Sequence, residues 1–320
     1  MRASLQAPGT SPSLLAPLPA SLPRRAAVPR ALLVRATVPG LLRLAAVEWA
    51  WMGACWLAMA LWPPVAPLAV LVLGARIHAL GVIFHDAVHL SARHKGPGLR
   101  LLEVLTGYPV ASTWESTRYH HLRHHHDAGL PTDPYRRRPH RGWRLGVTWL
   151  LFMGVLPFWM LRGPVGLLAW GVPALRGAYA RVFLQAGAVK APPDAEEVLA
   201  CARSEAGQVL FHLGVLALAW HWPAAVGWGY GLPLGVAAAL NAHRLLAEHT
   251  PVEARGRTME DVLAVTSDHG LGWRGRLGLA PRNVGYHVVH HLHPQVALEH
   301  LPRLREWYVA HFPHHYPPPR

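Results

Sequence analysis

Charge is scarce in this chain. Only 15% of its 320 residues are Asp, Glu, Lys or Arg, against roughly 25% in soluble domains, which points to a lipid environment. Acidic residues are the scarcer kind, 17 against 31 basic, and none precedes Glu48. The net charge of +14 is dispersed through short loops beside apolar stretches, as the bias of basic residues toward cytosolic loops requires. No nucleic-acid reading motif accompanies it, so nucleic acid is not expected as a partner. Cysteine is nearly absent: Cys55 and Cys201 alone build neither a disulfide framework nor an iron–sulfur cluster. HExxH is missing, which removes the zinc metalloprotease reading. Glu-x-x-His is missing too, which removes the carboxylate di-iron bundle.

Apolar residues, at 52%, are what the chain has instead. One pair of spans covers roughly 44–62 and 66–89, joined by WPPVAP; a second covers roughly 206–222 and 230–249, joined by PAAVGWGYG. Each approaches the roughly 20 residues that cross a hydrocarbon core. Neither turn holds Lys or Arg, whereas Arg93, Lys95 and Arg100 follow the first pair and Arg255 and Arg257 the second. The turns are therefore expected outside the cytosol and the termini within it. In the stretch 146–185, VTWLLFMGVLPFWML is apolar for only fifteen residues and is interrupted by Pro157; the histidine clusters at 121–125 and 287–291 must meet on one side, so the stretch crosses zero or two times, and interfacial helices are the preferred reading. Residues 190–205 read as a separate polar helix. Residues 1–40, proline-studded and almost free of charge other than arginine, read as a disordered cytosolic tail, 41–310 as one membrane domain, and 311–320 as a C-terminal tail.

Among 23 histidines, three clusters lie beside these spans: HDAVH at 85–89, HLRHH at 121–125 and HVVHH at 287–291. Spacings of three and four put rings on one helical face, about 6 Å apart. His85 and His89 form the first box, and His287, His290 and His291 the third. In the second, YHHLRHHHD allows His121–His124–His125, His120–His124–His125 or His121–His125–His126; the first register is preferred. Eight imidazoles exceed the closure of one four-coordinate metal, so two metals are expected. An all-imidazole pair suits iron, with copper or zinc allowed by ligand softness. Asp86, Asp127 and Glu248 are placed to fix ring tautomers or to form salt bridges, and Asp133, in PTDPY, to cap a helix or a turn. Arg76 and His78, deep in the second span, imply either a substrate or headgroup contact or a buried hydrogen bond. GLGWRG at 270–275 satisfies GxGxxG only formally, since no βαβ unit surrounds it.

The three boxes, with YHVVHHLHP ahead of LPRL and LNAHRLLAEH on the fourth span, resemble the integral-membrane fatty acid desaturase/hydroxylase superfamily over roughly residues 40–310. That superfamily also includes carotenoid ketolases and hydroxylases. The resemblance implies an all-α integral membrane protein: four transmembrane helices in two hairpins, with a cytosolic helical cap holding a histidine-rich dimetal site. It implies a further ligand from the cytosolic end of the fourth helix, matched by His249. The ligand set is then His85, His89, His121, His124, His125, His249, His287, His290 and His291, with no catalytic residue beyond it. Two irons and O2 as cosubstrate follow from the same resemblance. Electrons are expected from an external ferredoxin- or cytochrome-type donor, because the chain has no haem, flavin or iron–sulfur motif; Arg136, Arg137, Arg138 and Arg141 offer it a basic face. Box three begins with His287 where desaturases fused to cytochrome b5 carry glutamine, and no HPGG haem signature occurs. The expected activity is O2-dependent desaturation of the acyl chain of a fatty acid or lipid, in a bacterial inner membrane with the active site cytosolic. Lipid or carotenoid hydroxylation or ketolation is the alternative within the superfamily, and a non-enzymatic membrane metal-binding protein the alternative outside it.

Overall fold

Thr37 opens the first long helix by accepting the Gly40 N–H at 3.2 Å, with Pro39 in the first turn, where its missing donor is not needed. This helix, α1 (Val38–Leu61), ends at the Pro63–Pro64 turn, and α2 (Ala66–Ala87) returns beside it. A computed structural model gives these positions and describes residues 28–91, 95–136, 141–186 and 194–320. The expectations for residues 1–27 and for Arg93, Arg137 and Arg138 lie outside the described residues. Helices α3 (Pro97–Leu102) and α4 (Trp114–Asp127) cross the end of the hairpin. Then come α5 (Trp143–Met153), α6 (Val155–Gly171), α7 (Arg176–Val182), α8 (Ala195–His221), α9 (Pro223–Val226) and α10 (Leu232–Glu248). Four short helices complete the chain: α11 (Met259–Val265), α12 (Trp273–Leu277), α13 (His287–Leu292) and α14 (Leu301–His311).

Helix α2 is the centre of the assembly. Nearly all of it from Leu73 onward is buried, between α1 on one side and α10 on the other. The approach to α10 depends on Gly74, where a Cβ would sit 2.4 Å from the Val236 Cβ and 2.9 Å from the Pro233 carbonyl. Met52, Leu73, Ile77, Leu80, Leu156 and Ala237 form the apolar core at this contact. Outward, Leu57, Leu61, Leu71, Leu216 and Trp220 are exposed, the arrangement of a lipid-facing surface.

Among the described residues, four stretches are long and apolar enough to cross a membrane: Val38–Leu61, Pro63–Ala87, Trp143–Gly171 and Pro223–Glu248. The number is as expected, but α5–α6 takes the place expected for 206–222. The path of the chain resolves this. Before α5, Asp133 is bonded to His124 of box two; after α6, Tyr179 lies 3.4 Å from Ser116, at the start of the same box-two helix. Thus α5–α6 leaves the histidine end and comes back to it. Helix α8, by contrast, starts at that end, where Glu205 accepts from Ser116 at 2.6 Å. It finishes at Trp222, in a groove shared with Trp56, Pro63 and Trp228 at the opposite end. Trp56 Nε1 donates to the Gly229 carbonyl there at 3.0 Å, tying the two turns together. The return strokes are therefore α1–α2 and α8–α10. Residues 190–205 are no separate helix: the described part of that polar segment runs unbroken into the apolar one, because no glycine or proline interrupts it before Gly207, and the single α8 starts at Asp194, which caps the Glu196 N–H at 2.7 Å. The charges of this first half are what keep α8 from matching a uniformly apolar span.

Parts of both stretches read as tails are packed. Val28 is 3% exposed, and Tyr316 and Phe312 are buried with it in a core built by α13 and α14. Arg35 pairs with Val296 in an isolated backbone bridge.

Candidate metal centre

Box one ends α2: His85 sits in its last turn and His89 in the bend after it. Boxes two and three occupy α4 and α13, helices rich in histidine, a mediocre helix former. Neither helix has a cap from its own N-cap residue. Both are capped from a distance instead. Glu103 accepts the Trp114 N–H at 2.7 Å, and Asp268 accepts the Val288 N–H at 3.0 Å. Each carboxylate is itself held: Glu103 by Lys95 at 2.7 Å, Asp268 by Arg305 and Tyr316, each at 2.7 Å. Carboxylates at helix N-termini satisfy free donors and oppose the positive end of the dipole. Sequence reading missed both, because each lies many residues from the helix it caps.

The nine histidines converge in two groups. His85, His89, His121, His125 and His290 form one; His124, His249, His287 and His291 form the other. Within each, one nitrogen per ring lies within 4.8 Å of all the others. The two HxxHH boxes split in opposite senses: α4 gives its i, i+4 pair to the first group and His124 to the second, whereas α13 gives its pair to the second and His290 to the first. The groups adjoin, with the His125 and His291 rings stacked at 4.1 Å. His120 and His126 stay out. His120 is buried beside Tyr135 and Trp159, and His126 is exposed and bonded to Asp127. The register His121–His124–His125 is thus the one whose rings meet. His293 also stays out, 2.8 Å from the Tyr308 hydroxyl.

These residues fit metal. Nε2 atoms of different rings face one another at 3.0 Å (His89–His121, His121–His125) and 3.1 Å (His249–His287), as nitrogens do when aimed at a common point. Buried ring nitrogens of His85, His124, His290 and His291 have no hydrogen-bond partner among the described residues, a cost of about 1–3 kcal/mol each if nothing were bound. No carboxylate belongs to either group, although Asp133 and Glu248 stand behind His124 and His287. Burial, followed by neighbouring cationic and imidazole groups, holds His89, His121, His125, His287 and His291 well below the ordinary histidine range and His249 and His290 down to about 3. Neutral imidazole is the ligating form.

The carboxylates sort unequally. Asp133 accepts from His124 Nδ1 at 2.7 Å, turning Nε2 inward, and also from the Gly129 and Tyr135 N–H groups at 2.8 Å. Burial alone would raise its pKa, but His124 and these donors hold it below the ordinary range. Glu248 stands 3.6 Å from His287 Nδ1. Asp127 binds His126, Thr132 and Arg257 instead of a ring in either group, and Asp86 is buried but joins neither group. Asp133→Asn is expected to weaken metal binding about 10–100-fold, since such partners set ligand orientation and basicity. Chelator competition on the purified protein measures it.

Arg76 and His78 are structural. Arg76 pairs with Glu48 at 3.1 Å and donates to the Leu277 carbonyl, while His78 Nδ1 lies 3.0 Å from the Gly278 carbonyl. Arg282 joins Glu48 at 2.6 Å. Together they pin the 277–282 loop, which leads into box three, onto the α1–α2 hairpin. The GLGWRG segment precedes that loop and opens α12, with Gly270 at φ +57°.

Beside the first group, between α2 and α10, lies a narrow cavity of about 70 Å³. His85 and His121 form part of its wall, with Phe84, Leu156, Trp159 and Ala237. A family model described as fatty acid desaturase matches residues 60–320 of the chain. No curated protein gives a significant match.

Proposed function

The chain belongs to the fatty acid desaturase family, and from this we propose that it is a membrane di-iron enzyme using O2 to desaturate the acyl chain of a fatty acid or lipid. It is an integral membrane protein whose clustered histidines suit a metal-dependent oxidoreductase. One observation carries the reading: the wall of an apolar cavity between membrane helices includes ring edges from box one and box two. A hydrocarbon chain seated there has the histidine groups on one side and Phe84, Leu156 and Ala237 on the other. Two irons held by the nine histidines would supply the activation of O2 needed to break an unactivated C–H bond. The residues of the chain position the substrate and exclude water.

Removing two hydrogens releases two electrons, and reducing O2 to two waters takes four. The other two come from a donor, for which a ferredoxin or cytochrome at the basic histidine-side face is the proposed source. Arg136, paired with Glu253 at 2.7 Å, belongs to that face.

Expression in a bacterial host of known lipid composition, followed by lipid mass spectrometry, tests the activity. Loss of a hydrogen pair from host acyl chains is the expected product. Gain of an oxygen atom would mean hydroxylation, and unchanged lipids in iron-replete cells would remove the proposal.

For topology, the proposed orientation puts the histidine groups in the cytosol and the turns at 62–66 and 222–229 outside. Cysteines introduced at those turns into a variant with Cys55 and Cys201 replaced are expected to react with an impermeant thiol reagent in intact cells. Labelling near box two under the same conditions would reverse the orientation.

A further inference from the structure

A second narrow cavity, of about 100 Å³, has His249 in its wall. It shares four residues with the one beside His85 and His121: Tyr135, Trp159, Asn241 and Arg244. The two spaces together pass both histidine groups, and the shared residues mark the station between them. Tyr135 fixes its level, with its ring 4.4 Å from that of His124. Asn241 and Arg244 lie one turn apart on α10 and face the same spaces.

This station sets a guanidinium and an amide among apolar wall residues, Phe84, Leu156 and Ala237 in one space and Phe152, Val155 and Leu245 in the other. Arg244 is 9% exposed, and its Nε has no hydrogen-bond partner among the described residues. Its nearest carboxylate, Glu248, lies 3.6 Å from Nε and is shared with His269 and His287 at 3.5 and 3.6 Å. A guanidinium carries five donors and no acceptor. A plain methylene chain drawn past it would displace water and leave those donors unpaired, at a cost paid on every binding event. A chain with an acceptor oxygen at that station would satisfy them.

We infer that Arg244 and Asn241 recognise a carboxylate or carbonyl oxygen of the substrate, so that the carbon oxidised lies within a few bonds of an oxygenated end and not in mid-chain. The inference rests on the proposed acyl-chain oxidation for its reaction, but not for its binding test. Arginine fits because its planar fork matches a carboxylate or carbonyl. Asn241 adds an amide donor from the same helical face.

The experiment uses the purified full-length protein in detergent, with iron measured per chain. Retention of hexadecanoic acid, its methyl ester and hexadecane is compared across wild type, Arg244→Leu, Arg244→Lys and Asn241→Leu. Wild type is expected to retain the acid at least about tenfold better than the alkane. That ratio should collapse in Arg244→Leu, survive in part in Arg244→Lys and fall in Asn241→Leu, with iron unchanged. Ester retained like acid assigns the carbonyl; ester retained like alkane assigns the carboxylate. An acid-to-alkane ratio unchanged in Arg244→Leu would overturn the inference. So would loss of iron from both Arg244 variants, which would make Arg244 a support of the metal centre. Failure of lipid oxidation with the ratio intact would count against the proposed activity alone.

Discussion

His249→Ala is expected to cost the protein metal from one of its two groups and nearly all lipid oxidation, while His243→Ala keeps both. His249 leaves α10 in an extended conformation, locked by a backbone bridge to Thr266 and by the Thr250 N–H on the Val265 carbonyl at 2.9 Å. That exit turns its ring into the smaller group, where Nε2 meets His287 Nε2 at 3.1 Å. Only three imidazoles would remain there. His243, six residues earlier, is exposed and belongs to neither group. Loss of a direct ligand exceeds the roughly 10–100-fold cost of losing a partner behind one. Iron per chain and lipid mass spectra on both variants decide it. Full iron and activity in His249→Ala would take this residue out of the ligand set.

Glu205→Leu is expected to destabilise the fold by about 3–5 kcal/mol, the range for removing one partner of a buried ion pair. Glu205 and Arg162 are both fully buried, 2.8 Å apart, where α6 crosses α8. Ser116 and Tyr179 also donate to the carboxylate, at 2.6 and 3.1 Å. The substitution leaves a guanidinium unpaired and frees the start of the box-two helix. Glu205→Leu combined with Arg162→Met should recover much of the loss, since it is the orphaned charge that costs most. Unfolding followed by circular dichroism in detergent measures both. A double variant no more stable than Glu205→Leu would show that Ser116 and Tyr179 matter more than the charge.

Local patterns were readable from sequence, and long-range partners were not. The three boxes were legible because spacings of three and four fix which rings share a helical face. Among the competing registers of box two, however, nothing local separates His120 from His121. The choice is made by α6, whose Trp159 packs beside His120 away from both groups. The return of α5–α6 to its starting side followed from requiring boxes two and three to meet. The union of a polar and an apolar segment in α8 did not, because charge was read as a boundary where the backbone has none. Arg162 went unread, because nothing local points to its partner, which lies 43 positions away at Glu205. Arg244 and Asn241 were legible only as part of a family-like string; their place between two cavities depends on how α10 packs against α2 and α5.

Asp268 sets an order of events for biosynthesis. It holds the first turn of box three through Val288 and is itself held by Arg305 and Tyr316, while its carbonyl accepts the Arg320 N–H at 2.8 Å. During translation box three emerges before these residues do, so its helix has no anchored cap until the chain beyond Arg305 has left the ribosome. Until that moment His290 and His291 sit on a helix without its anchored cap, worth about 0.5–2 kcal/mol. A chain cut short of Arg305 is accordingly expected to hold metal more weakly than the full one, which metal content per chain would measure.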